Sequence, residues 1–129
     1  MKTILIAEDN DSNFILMSYL LKKHYNIIRA KNGKEAVDYA ANGGFEIILM
    51  YIKMPEMDGL EATKIIKKEM PDMPIIALTA NAFESDREQA LAAGCDDFLS
   101  KPVNADVCLA TIAKYIYYMV EDRKKEWFR

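Results

Sequence analysis

The feature that most constrains the fold is a regular alternation of short apolar runs with segments of helical periodicity. The apolar runs cover residues 3–7, 26–30, 46–50, 74–79 and 97–100. Each run is apolar at consecutive positions rather than at every second one, which is typical of strands that are covered on both faces. The runs therefore predict a parallel sheet with helices packed on either side.

The segments between the runs carry helix caps and stop signals. Asn10 and Asn104 are good N-caps, while Gly94 and Pro71 end helices. The predicted helices follow Asn10 and cover 34–41, 59–69, 85–93 and Asn104 to about Val120. Five strands alternating with five helices predict an α/β, flavodoxin-like, doubly wound parallel sheet with strand order 2-1-3-4-5. Residues 1–120 are predicted to form the domain, and 121–129 the end of the last helix or a tail.

Composition narrows the class of protein. A chain of 129 residues is long enough for one well-buried domain, and its net charge of −3 does not favour a nucleic-acid partner. Nucleic acid is therefore not expected as a partner. No apolar run reaches the length of a membrane span, so a membrane is not expected as a partner either. The expected location is the cytoplasm. Cys95 and Cys108 match no metal or redox spacing, so both are expected to be small buried or half-exposed thiols.

The ends of the predicted strands carry most of the polar side chains that could form a site. Glu8 and Asp9 follow the first strand, Tyr51 the third, Thr79 ends the fourth, and Lys101 follows the fifth. In a doubly wound sheet, ligands bind at the carboxyl ends of the strands. Two carboxylates suit a divalent cation such as Mg²⁺, and a lysine and a hydroxyl suit an anionic oxygen. The set predicts a site for a metal and a phosphoryl group, but it lacks a nucleophile.

Each of these residues also has a simpler explanation when it is taken alone. An acidic pair before a helix is usually a cap with a solvated neighbour, and a threonine at a strand end usually has no role. Lys101 before Pro102 is typical of a turn. Their coincidence at one predicted edge favours a site. His24 lies near the end of the first helix, far from that edge, and receives no role.

Four segments resemble the receiver domains of response regulators in two-component phosphorelay signalling. They are residues 4–10, 49–59, 74–80 and 94–102, which are spread over nearly the whole chain. The resemblance implies that Glu8 and Asp9 are metal-binding acids and that the Lys53 backbone carbonyl is a further metal ligand. It also implies that Lys101 contacts the phosphate. Thr79 would be the switch hydroxyl and Phe98 the switch aromatic. The resemblance further implies Mg²⁺ as cofactor, a sensor histidine kinase or phosphotransfer protein as partner, and a Lys101–Pro102 bond that is often cis.

The departure from the family pattern is Tyr51, which stands where receivers keep the aspartate that accepts the phosphoryl group. A phenol has a pKa of about 10, so it is neutral at pH 7 and a poor ligand for Mg²⁺. A phosphotyrosine would also be an ester rather than a labile acyl phosphate. We therefore expect no phosphotransfer at Tyr51, weakened Mg²⁺ binding, no catalysis, and a role as a protein-interaction module. The chain is either a natural phosphorylation-independent receiver or a substituted copy of an ordinary one.

Three alternatives remain at this point. The chain could still accept a phosphoryl group on another residue, for which Asp9 is the nearest candidate. It could be a flavodoxin-like cofactor-binding protein, although two acids after the first strand would repel a cofactor phosphate. The Tyr51 hydroxyl could also lie near Lys101 and Thr79 and bias the switch.

The last predicted helix carries two stripes. The inward stripe is apolar and consists of Leu109, Ile112, Ala113, Ile116 and Val120. The second stripe lies on another face and consists of Cys108, Thr111, Tyr115 and Tyr118. Tyrosine is enriched at interfaces, so Tyr115 and Tyr118 are candidates for a homodimer or output-domain surface. The alternative is that these tyrosines cover the edge of the core.

Overall fold

The computed structural model describes the backbone of residues 1–80 and 84–127 and the side chains of residues 1–80 and 85–116. Within these ranges five strands alternate with five helices: β1 Thr3–Ala7, α1 Asp11–Leu21, β2 Asn26–Ala30, α2 Gly33–Asn42, β3 Ile47–Tyr51, α3 Gly59–Glu69, β4 Ile75–Thr79, α4 Glu84–Ala93, β5 Asp97–Ser100 and α5 Ala105–Trp127. The strands form one sheet in the order β2-β1-β3-β4-β5, and every neighbouring pair is parallel. The predicted α/β fold and strand order are confirmed.

The strand register brings the predicted site residues to the same edge. Ala7 of β1 pairs with Met50 of β3, and Met50 pairs with Ala77 of β4. The next residues, Glu8 after β1 and Tyr51 at the end of β3, therefore lie side by side at this edge. The order of strands reverses between β1 and β3, which is where a doubly wound sheet opens a crevice.

Alternate strand residues point to opposite faces of the sheet and divide the apolar interior into two cores. The core that we call the α2–α4 core contains Met50 of β3 together with side chains of α2, α3 and α4, among them Ala36, Ile66 and Ala90. The α1/α5 core contains Leu49 of β3 together with side chains of α1 and α5, among them Met17, Leu21, Ile112 and Ile116. Both faces are covered, as the unbroken apolar strands predict.

Side-chain caps begin the helices at the predicted places. The Asn10 carboxamide accepts a hydrogen bond from the Asn13 amide at 3.0 Å, and Asn104 accepts one from the Val107 amide at 3.1 Å. Asp58 accepts one from the Glu61 amide at 2.9 Å at the start of α3. Each bond satisfies an amide that has no partner within its helix.

Helix α5 continues beyond Val120 to Trp127, and no glycine or proline interrupts residues 105–127. One expectation for this helix is wrong. Cys108 does not belong to an outer stripe: it is fully buried in the α1/α5 core, four residues before Ile112. Residues four apart lie on one face of a helix, so Cys108 continues the row of Ile112 and Ile116. In the described ranges, none of the helices combines the length and apolarity needed to cross a membrane.

Candidate functional site

The carboxyl edge of the sheet brings together Glu8, Tyr51 and Lys101. Glu8 follows β1 and is only 1% exposed, whereas its neighbour Asp9 is exposed. Tyr51 ends β3 and is half-buried, Thr79 ends β4 and is buried, and Lys101 follows β5 and is half-buried. The predicted site residues therefore share one edge, but Glu8 and Asp9 are in different environments.

The central polar contact is an ion pair between Lys101 and Glu8. The Lys101 ammonium donates to Glu8 Oε1 at 2.8 Å, and the exposed fractions of the two side chains are 20% and 1%. The other carboxylate oxygen of Glu8, Oε2, is buried and has no hydrogen-bond partner in the described part of the chain. A buried carboxylate is costly unless it is paired, so Lys101 supplies the positive charge that this position requires.

Tyr51 contacts the same lysine with the face of its ring. The Lys101 Nζ lies 3.9 Å from the ring centroid, well within the range of a cation–π interaction. The ring also packs against the α1/α5 core. The Lys101 ammonium is thus held between a carboxylate oxygen and an aromatic face.

The backbone fixes Lys101 from the other end. Its amide donates to the Thr79 carbonyl at 2.8 Å, which extends the β4–β5 pairing past the last strand residue. The bond from Lys101 to Pro102 is cis, in line with the resemblance. Both the main chain and the ammonium of Lys101 are therefore held at the sheet edge.

Arg29 of β2 also organises this edge, although the sequence pattern gave no reason to assign it a role. Its guanidinium donates to the Glu8 carbonyl at 3.2 and 3.1 Å and to the Asp9 carbonyl at 3.4 Å. It also pairs with Asp11 at 2.8 Å and lies 4.6 Å from the Phe14 ring centroid. Arg29 thus fastens the loop between β1 and α1. The sequence feature that could have pointed to Arg29 is its charge, in a strand whose other residues are uncharged.

A cavity of about 220 Å³ lies beside Tyr51, between the loop after β3 and the start of α4. Tyr51 and Thr79 both line it, together with polar side chains from neighbouring loops and helices, namely Lys53, Asp58, Asp86 and Gln89. The Tyr51 phenol therefore borders the space that the predicted site would use. Its contact with Lys101 is made through the ring.

The acidic side chains at this edge that could hold a Mg²⁺ ion are those of Glu8 and Asp9. Among residues 1–80 and 85–116, no three His, Cys, Asp or Glu side chains lie close enough together to hold a metal. Two neighbouring carboxylates, Glu8 and Asp9, are present, but Lys101 already occupies Glu8 Oε1. A cation at Glu8 would share that carboxylate with the ammonium, and the oxygen open to it is Oε2, which has no hydrogen-bond partner among the described residues.

Phe98 and Tyr115 lie on β5 and α5, away from the lysine. Phe98 packs against the α2–α4 core, on the face of the sheet opposite Tyr51. The Tyr115 hydroxyl donates to the Asp96 carbonyl at 2.8 Å and to Asp97 Oδ2 at 3.0 Å, which ties α5 to the start of β5. These bonds favour the view that Tyr115 covers the edge of the core. The Tyr118 side chain lies outside the described residues, so the interface stays a prediction.

Tyr115 should make stability depend on pH in alkaline solution. Burial, together with the hydrogen bond and negative charge of Asp97, raises the pKa of Tyr115 from 10.0 to about 12. Because the folded pKa exceeds the unfolded pKa, the contribution is complete below pH 10 and is lost as the pH rises towards 12. We expect the advantage of the native chain over Tyr115→Phe in urea unfolding to shrink above about pH 10. An advantage that stays constant across this range would contradict the assignment.

The two cysteines are structural. Cys95 and Cys108 are free and buried, which is one of the two environments expected from the sequence. Burial raises the pKa of Cys108 to about 11 and also raises that of Cys95, whose Sγ lies 3.6 Å from the Thr63 hydroxyl. Neither thiol is activated as a nucleophile.

Comparisons with known proteins agree with this fold. The family "Response regulator receiver domain" matches residues 4–113. The polar-differentiation response regulators DivK of Brucella anthropi and Brucella ovis are 39% and 38% identical over 118 residues, which is 89% of this chain and 96% of each relative.

Solved structures give the same result. The receiver domain of a Pseudomonas aeruginosa sensor histidine kinase, solved with magnesium in its active-site cleft, has a TM-score of 0.84 and 35% identity over 89% of this chain and 97% of that one. A Saccharomyces cerevisiae receiver domain, solved with its histidine phosphotransfer protein, has a TM-score of 0.83 and 34% identity over 88% of both chains. The chain belongs to the response regulator receiver domain family.

Proposed function

We propose that this receiver domain works as a protein-interaction module that is not phosphorylated at position 51. Tyr51 takes the place of the acceptor aspartate in the segment 49–59, which otherwise resembles the family. The observation that carries the proposal is the position of Tyr51 at the end of β3, with its ring 3.9 Å from the Lys101 ammonium. A neutral phenol gives neither a carboxylate nucleophile nor a labile acyl phosphate.

The remaining family positions keep their proposed roles in a reduced form. Glu8, Asp9 and the Lys53 carbonyl are the remainder of a metal site. Thr79 and Phe98 are the switch residues, on β4 and β5. Without an acyl phosphate to contact, they hold one arrangement, and the domain signals by being present rather than by being modified. On this view the chain has no turnover of its own.

The proposed partner is a sensor histidine kinase or a phosphotransfer protein in the cytoplasm. The yeast receiver domain was solved with such a phosphotransfer protein. In this chain Ile15, Leu16 and Tyr19 of α1 are 64%, 59% and 66% exposed. A groove of about 410 Å³, lined in part by Leu16, Leu20 and Val103, lies beside them. Exposed apolar side chains beside this groove favour contact with the apolar surface of a helical partner.

Phosphodonor labelling tests the proposal. The chain and a Tyr51→Asp variant are incubated with acetyl phosphate and Mg²⁺, and both are weighed by intact mass spectrometry. We expect the native chain to stay unlabelled and Tyr51→Asp to gain one phosphoryl mass, because the aspartate restores a nucleophile beside Lys101.

A Tyr51→Asn variant is the matched control, since it has the size of aspartate without the carboxylate. Labelling of the native chain would contradict the proposal and identify another acceptor. Asp9, which is exposed and follows β1, would then be replaced by asparagine to find whether it is that acceptor.

A further inference from the structure

We propose that Lys101 is the built-in cation of the carboxyl edge of the sheet: Glu8 and the Tyr51 ring hold its ammonium where it competes with a divalent cation. The inference rests on the proposed function, since it concerns the same pocket, but it makes a separate claim. The proposed function says that the pocket takes no phosphoryl group at position 51. The inference says which positive charge neutralises the acids in place of a metal.

The first step is the charge of Glu8. Its carboxylate is 1% exposed and lies at the end of β1, where solvent cannot screen it. The Lys101 Nζ lies 2.8 Å from Oε1, so one buried negative charge meets one positive charge in direct contact. A Mg²⁺ ion would have to approach an oxygen of that carboxylate to about 2.1 Å. The ammonium and the metal therefore compete for the charge of the same carboxylate, although its second oxygen, Oε2, has no hydrogen-bond partner among the described residues.

The second step is the role of the Tyr51 ring. The face of an aromatic ring is electron-rich and attracts a cation, and here the Nζ lies 3.9 Å from the centroid. The ring thus adds a second attraction that a neutral aliphatic side chain would lack. Since the contact is made by the ring face, the hydroxyl is not required. A phenylalanine at position 51 should therefore keep the lysine in place, and a leucine should not.

The third step is the restraint on the lysine backbone. The Lys101 amide is hydrogen-bonded to the Thr79 carbonyl at 2.8 Å, so the side chain starts from a fixed point at the sheet edge. With the main chain fixed, only the side-chain torsions of Lys101 have to be ordered when it pairs with Glu8. This restraint favours the lysine over a metal ion, which must be bound from solution.

The test is binding of Mn²⁺, which prefers the same oxygen ligands as Mg²⁺ and broadens NMR signals of nearby nuclei. Amide spectra of the native chain, Lys101→Met and Lys31→Met are recorded during a Mn²⁺ titration. We expect Lys101→Met to show broadening at Glu8 and Asp9 at a Mn²⁺ concentration at least ~10-fold lower than the native chain, which corresponds to ~1.4 kcal/mol. Lys31 is the matched control, because it is exposed and follows β2 at the same sheet edge.

Two results would overturn the inference. In one, Lys101→Met binds Mn²⁺ no more tightly than the native chain. In the other, Lys31→Met gains as much affinity as Lys101→Met, which would show that only the net charge matters.

A second measurement uses the native chain and does not depend on the folding of Lys101→Met. The ring of Tyr51 should shift the Lys101 Hε proton signals upfield, and this shift should persist in Tyr51→Phe and disappear in Tyr51→Leu. Equal shifts in the native and leucine chains would show that the ring does not hold the lysine. Neither measurement uses a phosphodonor. The inference can therefore fail while the labelling result supports the proposed function, and the labelling result can contradict the proposed function while the inference holds.

Discussion

Replacing Gly59 with alanine is expected to lower the free energy of unfolding by about 3 kcal/mol, the upper part of the usual range for overpacking. A Cβ at this position would lie 2.2 Å from the Tyr51 carbonyl oxygen and 3.0 Å from the Ile52 Cα. Both are backbone atoms, and the Gly59 amide is bonded to the Ile52 carbonyl at 2.7 Å. The start of α3 therefore cannot accept a side chain without moving the end of β3.

Gly44→Ala is the matched control for this experiment. Gly44 has a φ of +98°, but no heavy atom of the described residues lies within 4 Å of the position that a Cβ would take. The substitution should cost only the backbone strain of an L-residue at positive φ, about 1–2 kcal/mol. Urea unfolding of both variants separates the two effects. If Gly59→Ala is no less stable than Gly44→Ala, the close packing of α3 on β3 is not as tight as described.

Replacing Lys101 with methionine is expected to cost about 3 kcal/mol of unfolding free energy, because it leaves a buried carboxylate without its partner. Glu8 is 1% exposed and Lys101 20% exposed, so the penalty falls mainly on the glutamate. Glu8→Gln should cost less, about 1 kcal/mol, since the remaining ammonium can reach water. Domains usually have a free energy of unfolding of about 5–15 kcal/mol, so Lys101→Met is expected to stay folded.

The double variant Glu8→Gln/Lys101→Met makes this prediction sharper. We expect it to be more stable than Lys101→Met alone, because the unpaired charge is removed together with its partner. Urea unfolding of the native chain, both single variants and the double variant completes the cycle. Additive losses in the double variant would show that the two side chains do not interact across the 2.8 Å contact.

The fold could be predicted because its signals are local. Each strand is a continuous apolar run, and side chains such as Asn10 and Asn104 cap the helices from within three residues. The shared edge of Glu8, Tyr51 and Thr79 follows once the strands are parallel and in the order 2-1-3-4-5. These properties depend on spacing along the chain, which the sequence displays directly.

The direction of single side chains could not be predicted in the same way. Nothing in the sequence indicates that Lys101 pairs with Glu8, 93 residues away. That pairing depends on which charge is buried, which is a property of the packed protein. Arg29 was missed for the same reason, since its partners are backbone carbonyls of another segment. The burial of Cys108 was missed because it depends on which face of α5 packs against the sheet.

The sheet also acts as a partition between the two halves of the molecule. Tyr51 packs into the half that contains α1 and α5, whereas Phe98 packs into the half that contains α2, α3 and α4. Because the sheet separates these two side chains, residue 51 and Phe98 pack against different sets of helices. A substitution at position 51 is therefore expected to disturb the packing of one half of the molecule more than that of the other.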